Sequence, residues 1–486
     1  MKKIILSIAT LSLLMIGCVD ENLDYNNDHD KPYSVPAETL LTNAEKELSD
    51  QMTTPSVNLN PFRMFAQYWT ETQYITESRY RISTRKIADN HWNNLFRDVL
   101  GNLESAKTAV KAEIKTADYS QQDWDIQQNN KLAILDIIEV YTFQVLVDTF
   151  GDIPYSEALN PNIVLPKYDK ASTIYPQLIT RLNNSISMLN TSGNSFNKGE
   201  IIYDGDVSKW KMFANSLKVK LGINLADVNS TLAKSTIESA YLSGVILTNT
   251  NNANFPYVET SPNYNPIHDN LVASNRNDFV PANTLVNQMN SLNDPRRSVY
   301  FTQYNGIYKG GIYGYANAYS NFSHVSDMIK ETTFPGTLME ASEINFLLAE
   351  ASARGYSVGN NTEYYYNKAI EASFDFWGIG NQAASYLANP SVSYTTAPGA
   401  TYKEKIGIQA WIALFNRGFE GWTTWRRLDY PNLVAPANAY PEAYGTVPKR
   451  FTYPINEQTV NGNNWNEASA AIGGDKLNTK IFWDIN

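Results

Sequence analysis

The chain has 486 residues and a formal net charge of −10, with 43% hydrophobic, 12% aromatic and only 18% charged residues. An acidic balance excludes the basic stripe that nucleic acid requires. One Cys and four His exclude a disulfide framework and a Cys/His metal cluster. What is left is a large globular protein with a weakly charged skin rich in Tyr and Asn, for which neither a nucleic-acid partner nor a cofactor is expected beyond a covalent lipid.

Residues 1–17 read as a signal peptide. Lys2 and Lys3 form the basic start, and Ile4 to Ile16 is apolar apart from Ser7, Thr10 and Ser12. That run is shorter than the ~20 residues a membrane-spanning helix needs. It ends in Met15-Ile16-Gly17-Cys18, a small residue before Cys as in a lipobox, with Met where Leu is usual. Cys18 is thus the expected lipidation site, and acyl chains there would anchor the chain to a membrane at about 0.8 kcal/mol per buried CH₂. Residues 18–35 are acidic and polar with no apolar face, and are read as a lipidated flexible tether. Asp20 and Glu21, directly after the Cys, resemble the acidic export signal of surface-exposed lipoproteins, so the outward face of the outer membrane is the expected location.

Residues 36–486 carry no Pro/Ser/Gly linker and are expected to form a single, mostly α unit. Leu40, Leu41, Ala44 and Leu48 recur at helical spacing after Pro36. Trp92, Leu95, Phe96, Val99, Leu103 and Ala106 predict a longer helix, as do Ala133 to Phe150. Ser172 is the expected N-cap of Ile174 to Leu189, and Trp210 to Leu225 repeats the pattern. From about 247 to 335 the sequence is dense in Asn, Tyr, Gly and Pro, with only Pro281 to Leu292 helical in pattern. Its aromatic content argues against disorder, so this irregular insert is read as a large loop face with functional potential. Helix is predicted again at Leu338–Arg354 and Glu363–Trp377, where Ala349, Ala353, Ala369 and Ala372 permit close packing of a tetratricopeptide-like pair. One long helix is expected from Lys403 to about Leu428, then a Pro- and Asn-rich tail.

A search for catalysis finds no GxSxG elbow, HExxH, P-loop or GxGxxG. Two carboxylates are enough for glycoside hydrolysis. Glu71 and Glu77 flank Tyr74, and Asp269 and Asp278 lie in the irregular insert, but acidic residues are more often a solvated face. His91 beside Trp92 is expected to pack rather than react. Recognition fits the composition better: sugar CH faces stack on rings, and hydroxyls pair with Asn, Asp and Arg. The candidate ligand-binding residues are Trp69, Tyr74, Tyr80 and Arg81 before the long helix, and Asn275, Arg276, Asp278, Tyr313 and Tyr315 in the insert.

Several segments in order along the chain carry a family resemblance. They are Phe150-Gly-Asp-Ile-Pro-Tyr155, Asn293-Asp-Pro-Arg-Arg297, Met339-Glu-Ala-Ser-Glu-Ile-Asn-Phe-Leu-Leu-Ala-Glu-Ala351, Phe415-Asn-Arg-Gly-Phe-Glu-Gly-Trp-Thr-Thr-Trp-Arg-Arg427, and Arg450-Phe-Thr-Tyr-Pro454 with the closing Phe482-Trp-Asp484. With the lipobox, this set resembles the SusD/RagB family of outer-membrane nutrient-binding lipoproteins. The resemblance implies four tetratricopeptide-like helix pairs, a loop face with a few short strands, and no enzymatic activity. It further implies capture of glycan, or of peptide in RagB-type members, for delivery to a SusC-like TonB-dependent transporter. The matched motifs speak to fold and role, and leave the ligand open.

Overall fold

Apolar residues three and four apart fold into the helices they predict. The computed structural model describes residues Val35–Ile485, so the leader, Cys18 and nearly all of the tether lie outside the described residues. From Ala37 onward the chain forms one compact unit. Its scaffold is built from α1 (Ala37–Thr53), α2 (Gly101–Ala112), α3 (Gln121–Phe150), α4 (Ala171–Met188), α5 (Val207–Leu225), α6 (Ser230–Leu242), α7 (Asn283–Ser291), α8 (Ala341–Ala353), α9 (Thr362–Phe376), α10 (Tyr402–Ala413) and α11 (Gly418–Leu428). Helices pack as partners: α1 with α2, α3 with α4, α5 with α6 and α8 with α9. Contacts of α2 with α3, of α4 with α5 and of α5 with α8 join the pairs in series. The mostly α architecture with helix pairs is therefore present, and each pair buries the stripe its neighbour exposes.

Local chemistry differs from the sequence reading at several points. Ser172 does not cap α4, which starts at Ala171 with Lys170 at the cap position and no side-chain cap bond. Stronger caps sit elsewhere: Ser120 Oγ accepts from Asp123 N, and Asp206 accepts from Ser208 N and Lys209 N. The helix predicted from Leu338 begins as a strand, Gly336–Met339, and turns helical only at Ala341. The single helix expected over 403–428 is two helices, α10 and α11, broken at 414–417. There Gly418 lies so close to Phe62 and Arg63 that a Cβ would fall 2.6 Å from the Arg63 backbone nitrogen. The irregular insert holds short elements in addition to α7: strands β2 (Ala253–Phe255) and β3 (Phe279–Pro281), with β4 (Gly336–Met339) directly after it and β1 (Trp69–Glu71) far upstream in sequence. β1 pairs antiparallel with β3, and β2 antiparallel with β4.

Buried charge ties the scaffold together. Lys220 on α5 pairs with Glu343 on α8 at 3.2 Å and with Glu420 on α11. Arg417 reaches Glu343 at 2.6 Å and Glu420 at 3.4 Å, and donates to the Leu338 carbonyl at 2.6 Å. Arg427 and Arg354 converge on Glu350, each at 3.0 Å. Arg296 and Asp294, both fully buried, pair at 2.7 Å, and the guanidinium also donates to Ser373 and Gln409. Most of these residues belong to the motifs that carried the family resemblance, so the motifs encode a solvent-excluded ionic framework. Such groups are tolerated inside only when paired and hydrogen-bonded.

Candidate functional site

The loop face is organised by the β1–β3 ribbon. Its register sets Trp69 opposite Pro281, Thr70 opposite Val280 and Glu71 opposite Phe279. Beyond the ribbon, Thr72 N donates to the Asp278 carbonyl at 2.8 Å and Thr72 Oγ1 to the Asn277 carbonyl at 2.6 Å. Gly311 adds a third segment through a parallel bridge to Ala282. A Cβ at Gly311 would lie 2.6 Å from Val280 and 2.8 Å from Asn317, so only glycine permits this approach. Buried Asn317 then locks the layers. Its backbone N–H reaches the Thr72 carbonyl at 3.2 Å, its amide donates to the carbonyls of Ile312 (3.0 Å) and Tyr315 (2.5 Å), and its Oδ1 accepts from Ile312 N at 2.7 Å.

This arrangement sorts the candidate residues by exposure. Tyr74 is 76% exposed, and its backbone sits in the left-handed region at φ 53°. An aromatic residue held there is strained and projects its ring into solvent with no core contact to repay the cost, which points to function. Tyr315 is also exposed, at 44%, on the turn that Gly314 permits with φ 77°. Arg276 and Asp278 form a surface ion pair at 2.8 Å, and Asn275, left-handed at φ 54°, is exposed beside them. Arg81 is exposed, its guanidinium 4.9 Å from the centre of the Tyr440 ring.

The other three candidates are core residues, which corrects their reading as ligand contacts. Trp69 and Tyr80 are fully buried. Tyr80 accepts from Gln67 at 3.0 Å, and its ring centre lies 6.1 Å from that of Tyr313. Tyr313 is buried and donates its hydroxyl to the Met64 carbonyl at 2.5 Å. Their bulk supports the platform from beneath, because rings whose hydroxyls find partners inside are worth more as packing than as surface. Ring-rich loops have no periodicity, so sequence alone does not tell which ring faces in.

The carboxylates also resolve. Glu71 and Glu77 are both buried and close the base of the Tyr74 loop. Glu71 accepts from Ser78 N at 3.0 Å and Ser78 Oγ at 2.6 Å, and Glu77 pairs with Arg85 at 2.7 Å. Burial, with Glu77 alongside, pushes the Glu71 carboxyl up to about 9, and burial also raises Glu77. Glu71 is therefore held toward its protonated form beside Glu77, in the buried base of the loop. His91 is likewise buried among rings, with burial lowering it to about 3, and acts as core. Among the described residues no group of three or more His, Cys, Asp or Glu converges to hold a metal ion.

Sequence reading missed Arg79, Asn438 and Tyr440. The Pro/Asn-rich tail crosses the loop face there: Asn438 donates to the Gly314 carbonyl at 2.7 Å, Arg79 Nε donates to the Asn438 carbonyl at 2.7 Å, and Tyr440 N donates to the Arg79 carbonyl at 2.9 Å. The alternation Arg79-Tyr80-Arg81 was the available signal, since it sets two guanidiniums on either side of one ring, and the left-handed turn at Tyr80, φ 64°, buries that ring while Arg81 stays exposed. A separate groove of about 460 Å³, lined by Lys107, Glu139, Phe143, Tyr155 and Arg181, has its charges committed to one another: Lys107 and Arg181 both pair with Asp136 and Glu139.

Comparison with known proteins agrees with this architecture. The chain matches, over residues 29–454, the SusD-like family model described as starch-binding and associating with the outer membrane. A solved chitin-binding protein is 26% identical with TM-score 0.79, the match covering 93% of this chain and 100% of that one. A SusD homologue from Bacteroides uniformis is 27% identical with TM-score 0.76, over 92% and 99% of the two chains. A chitin-binding SusD homologue from Flavobacterium johnsoniae, 23% identical with TM-score 0.76 over 92% and 99%, shares the fold. No curated protein sequence matches the chain. A family model spanning nearly all of the sequence, on the same helix-pair scaffold, means that this chain belongs to the SusD-like family of starch-binding proteins that associate with the outer membrane.

Proposed function

We propose that the protein is a non-catalytic glycan-capturing lipoprotein of the cell surface. The observation that carries this reading is the pair of exposed rings, Tyr74 and Tyr315, on one loop platform bordered by Arg276, Asp278 and Asn275. Sugar rings stack on aromatic faces, and polar groups at the border satisfy their hydroxyls. The family description names starch, and two structural neighbours are named for chitin, which supports a glycan as the ligand class.

No described helix is long and apolar enough to cross a membrane. Outer-membrane association is assigned to lipid on Cys18, with the acidic tether placing the domain outside, and captured glycan passes to a SusC-like TonB-dependent transporter. Calorimetric titration with a panel of neutral and anionic oligosaccharides, maltooligosaccharides and chitin oligosaccharides among them, tests the capture step; binding of none of them by the wild-type protein would refute it. Cys18→Ala should release the protein from the membrane fraction. Affinity purification from native outer membranes should recover the transporter, and its consistent absence would remove the delivery step.

A further inference from the structure

Beside the two exposed rings lies a cationic feature that neutral-sugar stacking does not use. Tyr440 has Arg79 at 4.2 Å and Arg81 at 4.9 Å from its ring centre, two guanidiniums on one aromatic ring. Arg79 is held in place by its bond to the Asn438 carbonyl and a longer one to the Tyr440 hydroxyl. Arg81 makes no hydrogen bond or ion pair through its guanidinium among the described residues, and its side chain is exposed. The nearest acid in sequence to Tyr440, Glu442, holds the backbone that follows Arg81 and does not pair with its guanidinium: it accepts from Ile82 N at 2.7 Å and from Ser83 N and Oγ. Two guanidiniums thus share one ring, neither of them ion-paired among the described residues, on a protein whose net charge is −10.

The cluster joins the platform directly, since Asn438 bridges Arg79 to the Gly314 carbonyl next to Tyr315. Arginine suits an anion site, because its planar fork meets carboxylate or sulfate bidentately while its face stays on a ring. Nearby Arg85 and Arg276 are ion-paired with Glu77 and Asp278, whereas the exposed Arg81 guanidinium has no such partner among the described residues. We infer that Arg79, Arg81 and Tyr440 form an anion subsite that selects glycans bearing a carboxylate or sulfate substituent next to the ring-stacking platform. This rests on the glycan-capture reading and narrows its ligand class.

The test is calorimetric titration of the purified protein with three anionic probes: oligogalacturonate, an alginate oligosaccharide and a sulfated galactan oligosaccharide free of uronic acid. Each is paired with its methyl-esterified or desulfated counterpart, and maltooligosaccharides and chitin oligosaccharides serve as neutral references. At least one anionic probe should bind about tenfold tighter than its neutral counterpart, the scale of one charge-assisted contact. Arg81→Gln should erase that preference, bringing the two members of the pair to the same affinity, and Arg81→Lys should restore part of it. Carboxylate and sulfate are separated by which pair shows the preference. No preference for any anionic member overturns the inference, as does a preference that survives Arg81→Gln. Tight binding of neutral references with no anionic preference would overturn it alone and leave glycan capture standing; binding of no glycan would remove both.

Discussion

The helix scaffold and the loop platform handle charge and rings in opposite ways. In the scaffold, Arg296, Arg417 and Arg427 are buried and each has acidic partners, while rings such as Phe62, Trp422 and Phe451 stack on one another at about 5 Å between centres. On the platform, Arg81 has no acid partner among the described residues, and Tyr74 holds its ring in solvent on a left-handed backbone. The scaffold spends its polar groups on stability, whereas the platform leaves the Tyr74 ring and the Arg81 guanidinium exposed to solvent and so available to a ligand. Residues of the first kind should govern folding, and those of the second kind binding, with little exchange between the two.

That division can be broken by mutation, beginning where the effect is greatest. Asp294→Asn leaves the fully buried Arg296 without its ion-pair partner, and removing one member of a buried pair costs about 3–5 kcal/mol. Urea denaturation should show that loss, while the fraction that remains folded binds glycan as the wild type does. Tyr74→Ala should do the reverse, weakening glycan binding by about 1–3 kcal/mol, as for other stacking platforms, with unfolding changed by no more than about 0.5 kcal/mol. A smaller effect of opposite sign is expected from Tyr74→Gly: relief of the left-handed backbone should raise stability by about 1 kcal/mol, visible as a higher Tm, as binding is lost. If Tyr74→Ala destabilised the fold as strongly as Asp294→Asn, the two regions would not be separable.

The most local prediction concerns pH. Glu71 titrates near about 9 in the fold against an ordinary value of 4.5, owing first to burial and then to Glu77. The folded state therefore binds more protons than the unfolded chain between those values, so its contribution to stability falls as pH rises through that window. Hydrogen exchange of residues 72–78, corrected for the intrinsic rise of exchange with pH, should quicken between pH 7 and 9 in the wild type, and Glu71→Gln should flatten that dependence. Unchanged exchange across the window would show that the pair does not hold the base of the Tyr74 loop.

The scaffold was largely legible in the sequence because burial on one helix face imposes a 3.6-residue period, as at Leu41, Ala44 and Leu48. The ordered motifs were legible too, since buried Asp294, Arg296, Glu343, Glu350 and Arg427 have few tolerable alternatives. The break between α10 and α11 was hidden because Gly418 serves a tertiary approach to Arg63, 355 positions earlier in the chain, that no local pattern reveals. The platform was half legible. Its segments stood out by composition, yet Tyr313 and Tyr315 are two residues apart and one is buried while the other is exposed. Tyr440 escaped notice because its partners Arg79 and Arg81 lie some 360 residues away, brought together only by the tail crossing the loop face.

The central claim is that the exposed rings of the platform capture glycan. Its most direct test is calorimetric titration of the wild type and of the Tyr74→Ala/Tyr315→Ala double variant with maltooligosaccharides and chitin oligosaccharides, with thermal unfolding of both proteins in the same buffer. A loss of at least about tenfold in affinity at an unchanged Tm is the predicted result, the scale of one to two stacked rings. Equal affinity of the two proteins for a glycan that the wild type binds would place the site elsewhere and contradict the account.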